Sequence, residues 1–301
     1  MELGIIGGDR RQAELGRLLA EEGHTVRTYG LERWAPEGAG PLEAALAAEA
    51  VILPLPLCRE AGMLNCELPA LPTAELFRRL RPEQRVLAGQ VQPPQRREAQ
   101  ACGLCLEDYF RQEELMVANA AITAEGAVQT AMERLDRSLG GLDCLVLGFG
   151  RIGKLLCHRL QGLSARVSAA ARRPEDLAWI RAYGWRALDI RALEGRLASF
   201  GAVFNTVPSP VLDAPLLSQL PRECLCVELA SRPGLDLEAA AELGLPCVWA
   251  RSLPGRLAPR TAAAALRDTV ARLLAEGRPE LPPEECPAAG KAAQIIHHLE
   301  G

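Results

Sequence analysis

One stretch limits the fold more than any other: Asp143–Gly153, DCLVLGFGRIG. Cys144–Gly148 is a short run of mostly branched apolar residues bounded by a turn signal, the pattern of a buried parallel strand. It runs directly into Gly148-Phe149-Gly150-Arg151-Ile152-Gly153, and Lys154–Leu160 continues with helical spacing. A G-x-G-x-x-G that closes a strand and opens a helix gives each glycine a task. Gly148 permits the tight turn, Gly150 lets the backbone approach a pyrophosphate, and Gly153 lets the helix pack close to the strand. The N–H groups of the helix start, Phe149, Arg151 and Ile152 among the turn residues, would then face the phosphates.

The second strand of this unit, Arg166–Ala170, ends in Ala171-Arg172-Arg173. An NAD site places Asp or Glu roughly 20 residues past the fingerprint, on the ribose 2′-hydroxyl. No acid lies in Arg166–Arg173. Guanidinium forks suit a 2′-phosphate, so Arg172 and Arg173 point to NADP. Their bland alternative is a solvated strand end.

With 301 residues the chain is long enough for two domains. A hydrophobic share of 49% against 24% charged residues fits a folded soluble protein. The net charge of −4 and the lack of a basic block argue against nucleic acid. No leader pattern precedes the strand Glu2–Ile6 and no apolar run approaches the ~18 residues of a membrane span, so a cytoplasmic protein is expected. The ten cysteines sit singly in apolar segments, as Cys144, Cys157, Cys226 and Cys247 do, and read as buried thiols. Cys102 and Cys105 form a C-x-x-C without two further ligands at matching spacing, so no metal site is expected.

Taken in order, Glu2–Ile6, Thr25–Tyr29, Ala50–Leu53, Arg85–Ala88 and Leu104–Glu107 read as strands, with helices after Asp9 and over Thr73–Leu80 and Pro93–Cys102; Cys58–Pro72 reads as a loop. The turn Gly7-Gly8-Asp9 is not a dinucleotide fingerprint. Either Asp9 is an ordinary N-cap, or the turn and Arg11 meet a small anion. Ile122–Leu139 reads as one long helix crossing between domains, with Thr123 at its start and Glu125 in its first turn, a favourable place for an acid beside the dipole. Glu125 is alternatively an acid facing the cleft. Later strands Ala202–Val207, Cys224–Leu229 and Pro246–Ala250 end in Asn205-Thr206-Val207-Pro208, in Ser231-Arg232-Pro233 and in the segment before a helix from Pro259 to Leu274, with Arg260 and Thr261 in its first turn. Ligands in open α/β sheets bind at that edge. The fold class is thus α/β, two Rossmann-like doubly wound parallel-sheet domains joined by a long crossing helix. The first spans residues 1–118 and the second, nucleotide-binding one 119–275; residues 276–301 hold a linker and a segment expected to return to the first domain.

Several motifs together carry a resemblance: GGDRRQ at 7–12, NAAITAEGA at 119–127, LGFGRIG at 147–153, NTVPSPVL at 205–212, ELASRPG at 228–234 and LPGRLAPRTA at 253–262. In this order, over about residues 3–275, they resemble the family of the dipicolinate synthase A subunit. Arg260 stands where the family pattern suggests Lys, which keeps a cation but questions any lysine-specific role. The resemblance implies a spore-forming source with the protein in the mother-cell compartment. It also implies NADP-linked oxidation of a cyclic dihydrodipicolinate-type dicarboxylate, from a branch of lysine synthesis, to pyridine-2,6-dicarboxylate. A flavoprotein-like B subunit is the implied partner, and self-association is left open. The ring becomes aromatic as hydride and proton depart, so positioning matters more than activation. Asn205, Thr206, Val207 and Pro208 are then expected beside the cofactor. Arg11 and Arg232, with Thr123 and Thr261, are expected to hold the substrate carboxylates across the cleft. Glu125 or Asp9 is expected to take the proton. Two alternatives stay open: another two-domain dehydrogenase acting on an amino acid or folate, and a non-catalytic nucleotide-sensing subunit.

Overall fold

The computed structural model describes residues 1–60, 62–66 and 71–276. The described residues form two compact units, Met1–Met116 with the segment from Ala258 to Glu276, and Val117–Leu257.

The first unit opens β1 (Glu2–Ile6), α1 (Arg10–Glu21), β2 (Thr25–Tyr29), α2 (Leu42–Leu46) and β3 (Ala50–Ile52). A small antiparallel hairpin follows, β4 (Cys58–Glu60) and β5 (Met63–Leu64). Then come α3 (Thr73–Arg79), β6 (Arg85–Ala88), α4 (Pro93–Ala101) and β7 (Leu106–Asp108). The five parallel strands stand in the order β2-β1-β3-β6-β7. Both faces are covered, which is why the central strands β1 and β3 are buried along nearly their whole length rather than at alternate positions. Leu3 and Ile5 face the α1 side, with Leu15 and Leu19; Ile6 and Val51 face the other, with Leu42, Leu76 and Phe77. Gly4 is required on that second face, because a Cβ would stand 2.1 Å from the Ala45 carbonyl oxygen of α2.

The helix α5 (Glu113–Arg134) carries the chain from the first unit into the second. It starts well before the expected Ile122. Thr123 is therefore neither cap nor first-turn residue: its hydroxyl back-bonds to the Asn119 carbonyl oxygen at 2.8 Å. Glu125 likewise lies mid-helix, and the first-turn acids are Glu113 and Glu114. The helix ends at Arg134, short of the expected Leu139.

The second unit runs β8 (Asp143–Leu147), α6 (Arg151–Gly162), β9 (Arg166–Ala171), α7 (Pro174–Ala182) and β10 (Arg186–Asp189). It continues with β11 (Ala202–Asn205), α8 (Ala214–Leu217), β12 (Leu225–Glu228), α9 (Leu237–Glu242), β13 (Cys247–Trp249) and α10 (Leu253–Leu257). Its parallel strands are ordered β10-β9-β8-β11-β12-β13. Counting from β8, that is 3-2-1-4-5-6, the dinucleotide-binding order whose direction reverses between β8 and β11. Cys144 and Val146 pack with Ala127 and Ala131 of α5 and Leu156 of α6; Leu145 and Leu147 pack with Leu217, Phe200 and Ala240 on the other face.

The last helix, α11 (Pro259–Glu276), groups with the first unit, whereas the sequence pattern assigns residues up to 275 to the second. Its buried stripe of Leu266, Val270 and Leu273 joins the cluster of Leu15 and Leu19 on α1. The return of the chain to the first unit is thus made by this helix. The return expected within 276–301 lies outside the described residues.

Candidate functional site

The three glycines after β8 differ in what surrounds them. Gly148 has φ of +94°, and a Cβ there would stand 2.4 Å from Thr206 Oγ1. A Cβ on Gly153 would stand 2.1 Å from the Gly148 carbonyl oxygen. Gly150, the N-cap of α6, has nothing within 4 Å of an added Cβ. Two glycines are therefore required by the protein itself, and the third faces open space. No side chain caps α6 at Gly150, so the first N–H groups of the helix keep their capacity for an acceptor. The turn is braced by Thr206, whose backbone N–H and hydroxyl both donate to the Leu147 carbonyl oxygen, at 2.9 and 2.8 Å. Phe149 points inward, buried and edge-on to Trp185 with ring centroids 6.1 Å apart. Only its backbone is offered to a ligand.

The carboxyl ends of β9, β8, β11 and β12 lie side by side. They bring Arg172-Arg173, the glycine turn, Thr206-Val207-Pro208 and Arg232 to one edge. Three strand spacings separate its ends, about 14 Å. Arg172 is exposed, with no ion pair among the described residues. Arg173 is bound to Asp176, Nε to Oδ2 at 2.7 Å and Nη2 to Oδ1 at 3.0 Å, and that carboxylate holds its pKa above the usual arginine range. At the other end Arg232 is exposed, again with no ion pair among the described residues. Asn205 does not face the edge: it is fully buried, and its amide is bonded to Glu228 and Val207. Sequence reasoning missed Glu228, which accepts from the distant Asn205 and from backbone N–H groups of the loop that follows it.

The corresponding turn of the first unit is built differently. Asp9 caps α1 in a capping box with Gln12. Its carboxylate also accepts from Arg11 Nε at 2.9 Å and from Arg11 Nη2 at 2.8 Å. Arg11 is buried, and Nη2 donates as well to the Leu55 carbonyl oxygen at 2.5 Å. Tyr109, wholly buried nearby, donates its hydroxyl to the Leu53 carbonyl oxygen at 2.8 Å, and burial pushes its phenol up. Thr261 is exposed on α11, and Arg260 there reaches Glu14 of α1 at 3.6 Å. In the second unit Glu125 pairs with Arg159 at 3.0 Å, about 12 Å along α6 from its N-terminus at 1.5 Å per residue. The structure thus brings Arg172-Arg173, the glycine turn, Thr206-Val207-Pro208 and Arg232 to one edge without Asn205, while Asp9, Arg11, Glu125 and Arg173 are each engaged in an ion pair. Among the described residues no group of three or more His, Cys, Asp or Glu is placed to hold a metal.

The family described as the N-terminal domain of the dipicolinate synthase A subunit matches residues 2–110. The dipicolinate synthase A subunit of Bacillus subtilis (strain 168) is 27% identical over 288 residues, 92% of this chain and 96% of the relative. The crystal structure of the dipicolinate synthase A subunit from Bacillus halodurans superposes with a TM-score of 0.83 at 26% identity, covering 92% of this chain and 98% of that one. Over most of its length the chain is thus similar to dipicolinate synthase A subunits. A transhydrogenase from Sinorhizobium meliloti shares the fold at a TM-score of 0.67 and 17% identity, over 90% of this chain and 93% of its own. The motifs that point to dipicolinate synthase in the sequence therefore sit on a fold shared with that transhydrogenase. Among the described residues no helix is long and apolar enough to cross a membrane.

Proposed function

We propose that the chain is an NADP-dependent oxidoreductase, partnered by a B subunit, that converts a cyclic dihydrodipicolinate-type dicarboxylate to dipicolinate during sporulation. One observation carries the cofactor reading: Gly148 and Gly153 have no room for a Cβ, while Gly150 has nothing but open space at an uncapped helix start. A turn needed only for folding gives no reason for a glycine at 150, where φ is −79° and any residue fits. A pyrophosphate gives that reason. The similarity to dipicolinate synthase A subunits supports the substrate, and the relatives' names, which make each of them one subunit of a synthase, support a partner chain.

When bound, the nicotinamide supplies the hydride acceptor. The residues of this chain do the rest. The α6 N-terminus and the backbone of the turn hold the pyrophosphate. Arg172 takes a 2′-phosphate, with Arg173 the weaker contributor because Asp176 already occupies its fork. Thr206 fixes the turn, and Val207 and Pro208 line the neighbouring strand end. Arg232 binds a substrate carboxylate as a charge-assisted fork. A second carboxylate at Arg11 has to compete with Asp9 for the guanidinium. Asp9 caps a helix and binds Arg11, so its loss as a proton acceptor costs structure as well. Glu125 stands far along α6 from the helix start. Water is the proton acceptor these placements favour.

The test is calorimetric titration of the purified chain with NADPH and with NADH, followed by turnover of freshly generated dihydrodipicolinate with NADP. Tighter NADPH binding that Arg172→Ala removes, together with dipicolinate formation, supports the reading. Equal affinity for both nucleotides refutes the 2′-phosphate assignment, and binding without turnover favours a nucleotide-sensing role.

A further inference from the structure

Glu228 ends β12 and is 0% exposed, as is Asn205 at the end of the adjacent β11. Both carboxylate oxygens face only N–H donors. Oε1 accepts from Asn205 Nδ2 at 2.9 Å and from the Ala230 N–H at 2.8 Å. Oε2 accepts from Asn205 Nδ2 at 2.8 Å, the Gly234 N–H at 2.9 Å and the Leu235 N–H at 3.1 Å. Asn205 in turn accepts from the Val207 N–H at 3.1 Å and donates to the Val207 carbonyl oxygen at 3.0 Å. One side chain thereby gathers both ends of the loop after β12 and ties them, through Asn205, to the loop after β11. Arg232 sits inside the gathered segment. The seam has no slack: a Cβ on Gly234 would stand 2.5 Å from Asn205 Nδ2 and 2.6 Å from the carbonyl oxygens of Val207 and Ser209.

A carboxylate is an expensive way to fill a core. No cation pairs with this one among the described residues, and an apolar residue of similar volume serves packing alone at least as well. What an apolar residue cannot do is hold four separate N–H groups, from positions 205, 230, 234 and 235, in one fixed arrangement.

We propose that Glu228 is a positioning residue that sets the placement of the Arg232 guanidinium through the loop Ala230–Leu235. This rests on the reading that Arg232 binds a substrate carboxylate. Glutamine at 228 keeps the shape but turns one acceptor into a donor. Its amide would meet the N–H of Ala230, or those of Gly234 and Leu235, donor against donor, and the loop would be released at that end.

The experiment is a double-mutant cycle on the full chain, with kcat/KM for dihydrodipicolinate oxidation, NADPH affinity and amide hydrogen exchange as readouts. Glu228→Gln is expected to bind NADPH within about twofold of the parent, to exchange faster over residues 229–236 but not over β8 and β9, and to lose roughly tenfold or more in kcat/KM. Arg232→Ala is expected to lose at least as much. The double variant should then be no worse than Arg232→Ala, because both changes act on one guanidinium. Additive losses would overturn the proposal, as would parent-like activity in Glu228→Gln or unchanged exchange in the loop. A silent Arg232→Ala refutes the carboxylate reading instead, and removes the target of the positioning with it. Should Glu228→Gln fail to fold, Glu228→Asp serves: it keeps the acceptors but is too short to reach both loop ends, so a partial loss that vanishes in the Arg232→Ala background supports the proposal and a loss that persists there refutes it.

Discussion

A methyl group added at Gly150 and one added at Gly153 should have opposite consequences. At Gly150 the backbone is extended, and nothing lies within 4 Å of the new atom. Alanine is a poorer N-cap than glycine, so the fold should lose only about 0.5–1 kcal/mol. The cofactor meets the methyl instead. Overpacking a close contact by one methyl costs about 1–3 kcal/mol, which at 1.4 kcal/mol per decade is roughly a 5- to 150-fold loss of NADPH affinity. At Gly153 the methyl stands 2.1 Å from the Gly148 carbonyl oxygen, a backbone atom that cannot swing away. The same 1–3 kcal/mol then falls on the fold, about 2–12 °C in Tm at 2–4 °C per kcal/mol. Thermal unfolding without nucleotide and calorimetric titration with NADPH separate the two. Full affinity in Gly150→Ala would show that the turn holds no pyrophosphate. A parent-like Tm in Gly153→Ala would show that α6 does not pack against the turn as described.

Arg172→Ala should weaken NADPH binding more than Arg173→Ala does, and neither should change NADH binding; a larger effect from Arg173 would mean that its bond to Asp176 opens for the ligand. The Arg191 guanidinium beside Asp189 holds that carboxyl down to about 2. Its folded value lies below the ordinary one, so the pair's contribution is present above about pH 4 and is lost as pH falls towards 2. Carbon-detected NMR titration should find that low value and return it to the ordinary range in Arg191→Ala. Burial pushes the Cys144 thiol up to about 12 and raises Cys157, and a hydrogen bond with Cys224 followed by burial raises Cys226, so these thiols should resist a disulfide reagent in the native protein and react once it is unfolded. Prompt reaction of Cys144 in buffer would contradict its placement.

The legible parts of the fold were those written in local chemistry. β1, β6, β8 and β9 are largely apolar runs cut off by Gly, Pro or charged residues, β2 is a β-branched and aromatic run between Gly23 and Gly30, and their bounds are readable to about a residue. The hairpin Cys58–Leu64 and the edge strand β10 carry no such run. The start of α5 was hidden for a different reason. Glu113–Arg134 is rich in alanine and apolar on most sides, so its periodicity is weak, and Thr123 before Ala124-Glu125 imitates a cap that the hydroxyl in fact spends on Asn119. In the candidate site the glycine turn and Arg232 were readable because their meaning depends on neighbours in sequence. Glu228 reads in sequence as an acid at a strand end. Asn205 meets it only when β11 and β12 pair, and the N–H groups at 230, 234 and 235 reach it only once the following loop folds back on the strand end.

The same contrast explains why two α/β units in one chain need not share one task. Each has a strand, a glycine-containing turn and a helix of 12 residues, α1 or α6. At α1 the helix start is filled: the Asp9 carboxylate accepts the Arg11 N–H at 2.9 Å, and its negative charge opposes a phosphate there. Arg11 then folds back on that carboxylate rather than reaching outward. At α6 the cap is a glycine with no side chain, and no acid of the first turn meets the helix dipole. Converting one into the other is therefore a matter of a single residue at the cap. Gly150→Asp should supply an internal carboxylate to α6, stabilise the unit against thermal unfolding as a better cap than glycine, and abolish NADPH binding by charge as well as bulk. A Gly150→Asp variant that still bound NADPH with the affinity of Gly150→Ala would show that the helix start plays no part in holding the pyrophosphate.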